Sequence, residues 1–128
     1  MATRVLTRFD IEALAADSTL PFGPWHYATS RTHTQFFGTE ITIAATTLAQ
    51  IIGGVAPSVT SITTINTLFL YPVNQHIQVG LHGVNAQTAG FRLDAGHFLA
   101  MELGSINALS LYNLGTATAS VIVAVGGP

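Results

Sequence analysis

The feature that most constrains the fold is a succession of short β-type segments between Thr39 and the C-terminus. Thr, Val and Ile are abundant in them, and Ile77, Val79 and Leu81 recur at the period of two expected for a strand with one buried face. Gly, Pro and Asn separate the segments at a spacing of about ten residues. They predict an all-β fold: an antiparallel β-sandwich or jelly roll of about eight strands, preceded by an extended N-terminal arm. The segments are 41–44, 47–52, 58–65, 67–71, 76–81, 90–93, 97–103, 108–113 and 119–125.

One of these segments also allows a helix. TLAQIIGG, beginning at Thr47, has helix-compatible spacing, but the β-branched residues that flank it favour a strand. No internal repeat halves the domain, and the strand lengths vary too much for a propeller or solenoid.

The first 40 residues have a different composition. They hold seven charged side chains and most of the aromatic residues. Asp10 precedes Ile11, Leu14 and Ala15 at helical spacing, which predicts a short helix over residues 10–16. The following stretch contains Pro21, Pro24 and two glycines without a sustained period, which indicates an extended arm or long loop. We therefore expect an N-terminal arm over residues 1–40 and a β-sandwich domain over residues 41–128.

Charge is scarce in the predicted sandwich. Residues 41–128 contain only Arg92, Asp94 and Glu102, the whole chain is 8% charged where about 25% is usual, and lysine is absent. No basic cluster is present to bind nucleic acid. No apolar run reaches the ~18 residues of a membrane span, and the N-terminus does not resemble a secretion signal. Charges normally guard strand edges, so we expect assembly with other subunits to cover much of this surface.

The stretch GFRLDAGHFLAMELG, residues 90–104, concentrates the remaining charge. Alternation predicts a hairpin in which Arg92 and Asp94 share an outward face and Glu102 points away from the core. The alternative is a site, with Asp94 and Glu102 as a carboxylate pair or His97 as a metal ligand. No second constellation of polar residues supports that chemistry, so we expect Arg92, Asp94 and Glu102 to lie at a subunit contact.

Motifs of catalysis are missing. The five histidines include no HExxH, and GxSxG, GxGxxG and the phosphate-binding loop do not occur. We predict no catalytic residues, no metal and no cofactor, and hence a protein that is not an enzyme. A small enzyme of cupin-like shape remains the third alternative.

The aromatic segments PFGPWHY and QFFG lie in the arm. The arm either folds back to seal its own sandwich or crosses onto a neighbour. Large aromatic side chains on an extended segment suit the second role, since each buries a large area at modest entropic cost. The predicted interface anchors are Phe22, Trp25, Tyr27, Phe36 and Phe37.

The last 50 or so residues carry a family resemblance. Gly-x-x-Leu-x-x-Gly is followed by an alternating strand, then by Asn-x-Leu-x-Leu-Tyr, Gly-Thr and a Val-rich closing strand. These positions are Gly90, Leu93, Gly96, Leu99, Met101, Leu103, Asn107, Leu109, Leu111, Tyr112, Gly115, Thr116, Val121, Val123 and Val125. The order resembles small β-sandwich structural proteins of tailed bacteriophage particles.

The resemblance implies a non-enzymatic virion structural protein. In that family such proteins serve as capsid decoration or cement, head-to-tail or tail components, or fibre pieces, and extended arms tie their subunits together. It implies a homo-oligomer, a trimer or higher, with other virion proteins as partners, located in the virion after assembly in the host cytoplasm.

A second hypothesis is a carbohydrate- or receptor-binding module of a fibre or tail tip. Glycan recognition favours exposed aromatic platforms with polar groups beside them. Trp25, Tyr27, Tyr71 and Tyr112 are the candidates for such platforms.

Overall fold

A computed structural model describes residues 2–13, 16–17, 22–52 and 58–128, and within these residues the chain is almost entirely β-structure. The ten strands and one helical turn follow in chain order. They are β1 (Thr3–Ala13), β2 (Phe22–His33), β3 (Gln35–Ile43), β4 (Leu48–Ile52), β5 (Ile65–Pro72), β6 (Ile77–Leu81), α1 (Ala86–Ala89), β7 (Phe91–Leu93), β8 (Leu99–Ile106), β9 (Leu109–Tyr112) and β10 (Ala119–Gly127).

Eight strands form a sandwich in jelly-roll order. The first sheet runs β3–β10–β5–β8 and the second runs β4–β9–β6–β7, with antiparallel pairing throughout. Between β3 and β10 the chain passes from one sheet to the other at each connection except that from β6 to β7. This interleaving is the double Greek key of a jelly roll. The predicted fold class is confirmed.

The core fills the space between the two sheets. Val121, Val123 and Val125 of β10 are fully buried, because alternate residues of a strand point to the same face. From the second sheet, Val79 and Leu111 meet them. Each such side chain contributes about 1.5–3 kcal/mol by leaving water, so the alternation identified in the sequence marks a part of the buried core.

A buried amide fastens one end of the sandwich. The Asn113 Nδ2 donates to the carbonyls of Ile43 (2.9 Å), Ala44 (3.2 Å) and Ala117 (2.8 Å). Its Oδ1 accepts from the Gly115 backbone N–H (2.9 Å) and from the Gln75 Nε2 (2.8 Å). One side chain thus ties the ends of β3 and β9 to the loop that leads into β10.

The helical turn α1 was not predicted. Its start is capped by Asn85, whose side chain accepts from the Gln87 N–H (2.8 Å). The Ala86 N–H donates to Ser110 Oγ (3.1 Å), which in turn donates to the Val84 carbonyl (3.2 Å). These bonds hold the turn against the outer side of the second sheet. Among the described residues, no helix has the length and apolarity to cross a membrane.

Two sandwich predictions were wrong. Residues 58–64 form no strand. Residues 59–61 are bends, and the Thr60 hydroxyl accepts from the Ile62 N–H (3.1 Å), a local bond that competes with strand pairing. Residues 90–104 do not form a hairpin, because β7 pairs with β6 in the second sheet and β8 pairs with β5 in the first. The expected turn exists, with Gly96 at φ 78°, but it connects two sheets. Alternation alone does not distinguish a hairpin from such a crossing.

The N-terminal region is a two-stranded antiparallel hairpin of β1 and β2. The helix predicted over residues 10–16 was wrong where the structure describes it. Residues 10–13 belong to β1 and residue 16 lies in a turn, while residues 14–15 lie outside the described residues. Val5, Thr7, Phe9 and Ile11 recur at every second position and share one face of the hairpin, so the period is two rather than 3.6. The sandwich begins at Gln35, six residues before the predicted boundary at residue 41.

Candidate functional site

The hairpin has two chemically different faces. Register places Phe9 opposite Tyr27 and Ile11 opposite Trp25, and residues directly opposite each other share a face. This apolar inner face points toward the sandwich. On the outer face Asp10 lies opposite His26, and the His26 Nδ1 is 2.5 Å from the Asp10 Oδ1 in a well-exposed pair.

A cleft of about 810 Å³ separates the inner face of the hairpin from the outer face of the first sheet. The core-facing Leu68 and Leu70 of β5 alternate with Phe69 and Tyr71, which point outward into the cleft. The lining is predominantly apolar. The residues around it are Val5, Leu6, Thr7, Arg8, Phe9, Trp25, Tyr27, Phe36, Thr67, Leu68, Phe69, Tyr71, Phe98, Ala100, Met101, Glu102 and Ala124.

Glu102 of β8 pins the hairpin to the sheet. Its Oε2 accepts from the Tyr27 hydroxyl (2.6 Å) and from the Arg31 Nη2 (2.9 Å). The Arg31 hydrogen bond, followed by that of Tyr27, lowers the pKa of the Glu102 carboxyl below its ordinary value, against the opposing effect of burial. Glu102 therefore stays ionised between two donors that both come from β2.

Aromatic rings make the other connections. The Phe9 and Phe98 ring centroids are 6.1 Å apart and nearly perpendicular, and Phe98 in turn lies 6.2 Å from Phe69. Trp25 stacks on Tyr27 at 5.8 Å. Such pairs stabilise beyond the area that they bury. A chain of aromatic contacts thus runs from the hairpin to the outer face of β5.

The hairpin does not fully cover the apolar residues around the cleft. Phe22, Trp25 and Phe98 remain 53%, 48% and 51% exposed, although each is large and apolar. Contiguous apolar surface of this kind marks interaction sites more often than free surface. The cleft and its rim are accordingly the candidate functional site.

Five of the predicted interface residues belong to this region. Trp25, Tyr27 and Phe36 line the cleft, as does Glu102, and Phe22 lies at the start of β2 opposite Ala13. Phe37 instead packs against the sandwich core. Its side chain is partly buried there, away from the cleft.

Arg92 and Asp94 lie elsewhere, at the β7 edge of the second sheet. The Arg92 Nε donates to the Asp94 Oδ1, both side chains are more than half exposed, and this bond lowers the pKa of Asp94. They share an outward face, as the alternation predicts. An exposed pair of this type contributes only about 0–1 kcal/mol.

The structure does not bring together the residues of the carboxylate pair or of the metal site that the sequence left as alternatives. Asp94 and Glu102 belong to different sheets, so they do not form a carboxylate pair. The His97 Nδ1 contacts the Ala95 carbonyl of its own turn (3.2 Å). Among the described residues, no three His, Asp or Glu side chains come together as metal ligands would.

Sequence reasoning missed Phe9, Arg31 and Phe98 as parts of the site. A usable signal existed for Phe9, since its alternation with Arg8 and Asp10 is visible in the sequence. The meeting of Arg31 with Glu102, 71 residues apart, depends on how the hairpin folds back and leaves no local pattern.

Fold and site together define a jelly-roll protein with an aromatic N-terminal hairpin. Comparison of the chain with protein-family models and with curated proteins gave no match in either case.

Proposed function

We propose that this chain is a non-enzymatic structural subunit of a virion. It acts as capsid decoration or cement, or as a minor structural component, and assembles into a homo-oligomer and onto other virion proteins. The observation that carries the proposal is the aromatic hairpin, which presents Phe22 and Trp25 at half exposure beside an open apolar cleft. Burying these surfaces between subunits would supply the driving force for association.

The lack of charge supports a permanently covered surface. β8 and β3 are the edge strands of the first sheet, and the only charged side chains on them are Glu102 and Glu40. Edge strands that stay exposed usually carry several charges, which block pairing with other chains. An assembly in which neighbours cover these edges removes that need.

The jelly-roll topology is compatible with this role. Viral capsid proteins use it, but so do lectins and cupins, so the fold alone does not select a function. The site argues for assembly because its lining is predominantly aromatic and aliphatic, with a single carboxylate already held by two donors.

Light scattering coupled to size exclusion tests the assembly. We expect an oligomer, and we expect Phe22→Ser combined with Trp25→Ser to shift it to the monomer. Phe91→Ser is the matched control, because Phe91 is a comparably exposed aromatic residue on the second sheet. A wild-type chain that remains monomeric at micromolar concentration would contradict the proposal. Mass spectrometry of purified particles tests the location in the virion.

A carbohydrate- or receptor-binding module is the second candidate, and one observation favours it. Trp25, Tyr27 and Tyr71 line the same cleft, whose volume suits a small ligand, whereas Tyr112 is buried in the sandwich. A glycan array with the wild-type chain and Trp25→Ala tests this function. Glycan binding lost in Trp25→Ala would support it, and an array without binding would remove it.

A further inference from the structure

A joint of one residue connects the hairpin to the sandwich. β2 ends at His33 and β3 begins at Gln35, which leaves only the exposed Thr34 between them. β1 and β2 form a sheet of their own, and within the described residues no backbone ladder joins it to either sandwich sheet. The hairpin is therefore a separate element on a very short hinge.

The hinge is tightly packed on one side. His33 is 2% exposed, and its ring lies so close to Gly126 that a Cβ there would come within 2.7 Å of the His33 Cδ2. The His33 Nε2 has no hydrogen-bond partner. Folding the hairpin onto its own sandwich thus requires a buried imidazole with one unsatisfied nitrogen.

Further polar atoms at the junction also lack partners. They are Glu102 Oε1, Thr67 Oγ1 and Asn66 Oδ1, which lie on β8 and β5 where Arg31 and Tyr27 approach. A buried acceptor without a donor destabilises a structure, because it has given up its bonds to water. These atoms stay unpaired wherever the hairpin docks in this way, so they lower the free energy needed to release it, and a one-residue hinge favours its exchange between chains.

We infer that the hairpins are exchanged between copies of this chain in the assembled protein. The β1–β2 hairpin of one subunit lies on the outer face of β5 and β8 of the next, where its Tyr27 and Arg31 bind the neighbour's Glu102 and its Phe9 meets the neighbour's Phe98. This inference rests on the proposed assembly and names its contact.

The occupant is a second copy because the complementary surfaces are already in the chain. The inner face of the hairpin offers one guanidinium and one hydroxyl, and the sheet offers one carboxylate within hydrogen-bond distance of both. Exchange keeps these contacts and places the half-exposed Phe22 and Trp25 between two sandwiches. A head-to-tail contact of this kind closes into a ring when the rotation permits.

Photo-crosslinking from the hairpin tests the exchange in the full chain. Phe9→p-benzoylphenylalanine keeps an aromatic ring at the contact with Phe98 and reacts on irradiation with whatever lies beside it. We expect covalent dimers whose linked peptide contains residues 98–102. The same replacement at Phe91, on the second sheet, is the control and is expected to give no such linkage.

The outcomes separate the two proposals. Crosslinks confined to single chains, in a sample that light scattering shows to be oligomeric, overturn the exchange but not the assembly. A monomer by light scattering overturns both.

A second variant examines the hinge. Insertion of a flexible Gly-Ser segment after Thr34 lengthens the one-residue joint, and a longer joint disfavours exchange between chains, so we expect crosslinks to move from dimers to single chains. If the longer joint leaves the yield of covalent dimers unchanged, the crosslinked contact does not depend on the hinge, and this result counts against the exchange.

Discussion

At the scale of single residues, Asn113 shows how a polar side chain determines the end of a sandwich. Its amide nitrogen serves three carbonyls and its oxygen accepts two donors, all in a place that water does not reach. The ALSLYN segment predicted a strand up to this residue, but nothing in it indicated the five hydrogen bonds, because three of their partners, Ile43, Ala44 and Gln75, are far away in the sequence.

Asn113→Ala should destabilise the protein by about 3 kcal/mol, since it leaves buried carbonyls without donors. Asn113→Asp should be worse, because it also sets a carboxylate against those carbonyls. Urea unfolding measures both. The exposed Asn107→Ala is the control and should change the free energy of unfolding by at most about 0.5 kcal/mol. An Asn113→Asp protein as stable as wild type would show that the amide is dispensable.

Glu102 makes hairpin docking dependent on pH. Its folded-state pKa lies below its ordinary value, so its contribution to stability is present above that ordinary value and is lost as the pH falls through the lowered one. We expect the hairpin to loosen in acid. Trp25 is the only tryptophan and is stacked in the hairpin, so its fluorescence reports this change.

Two variants identify the titrating group. In Glu102→Gln the acid transition of Trp25 fluorescence should disappear, since glutamine does not titrate. Asp94→Asn should leave it intact, although the pKa of Asp94 is also lowered, because Asp94 lies on the other sheet. A transition that survives in Glu102→Gln would assign it to another carboxyl group.

At the scale of elements, the start of the sandwich at Gln35, rather than at the predicted residue 41, determines where the chain can be truncated. β3 begins at Gln35, and its Phe37 packs against the core, so a cut after residue 40 removes most of an edge strand. Deletion of residues 1–33 should leave a cooperatively unfolding monomeric sandwich. Deletion of residues 1–40 should cost about 2 kcal/mol more, as Phe37 leaves the core. Thermal unfolding and light scattering measure both, and a shorter chain that still assembles would remove the hairpin's role.

Much of the sandwich could be predicted from local patterns. Strands such as β6, β8 and β10 bury one face, and the apolar residues at every second position of their sequences predict this. β1 was missed because Asp10 resembled a helix cap, while Arg4, Arg8 and Glu12 already alternated with apolar residues. The pairing of β7 and β8 with strands of different sheets was not predictable, since a turn at Gly96 serves a hairpin and a crossing equally well.

The candidate site was only partly predictable for the same reason. Trp25, Tyr27 and Phe36 were identified by residue type, because exposed aromatic residues on an extended segment favour an interface. Arg92, Asp94 and Glu102 were grouped because they are close in sequence. The structure separates them by sheet, and the true neighbours of Glu102 come from β2.

At the scale of the whole molecule, the jelly roll has a helical turn on the outer side of one sheet and, on that of the other, a hairpin held across an open cleft. On the second sheet, hydrogen bonds with Ser110 hold α1 and the residue before its cap directly against the strands. The first sheet is instead separated from its hairpin by a cleft of about 810 Å³. The two sheets thus differ in that the cleft lies over the outer face of the first. Association should be directed to the first sheet.

This asymmetry leads to a prediction about salt. If the interface is the apolar cleft, with one ion pair between Arg31 and Glu102, assembly depends on burial of apolar area far more than on charge. The oligomer should persist when NaCl is raised from about 0.05 M to about 1 M, although this shortens the screening length to about 3 Å. Sulfate, which is excluded from protein surfaces, should strengthen the oligomer.

Sedimentation velocity at each salt concentration measures the outcome. Arg31→Met keeps an aliphatic stem and removes the ion pair that Arg31 makes with Glu102 beside the cleft, so it serves as the reference for the ionic contribution. We expect the variant to weaken association modestly at low salt and less at high salt, since a partly exposed pair contributes about 0–1 kcal/mol and salt screens it. Dissociation of the wild type by NaCl would instead show that charged contacts hold the assembly. With so few charges on the sandwich, those contacts would have to come from the outer face of the hairpin, around Arg4, Arg8 and Asp10.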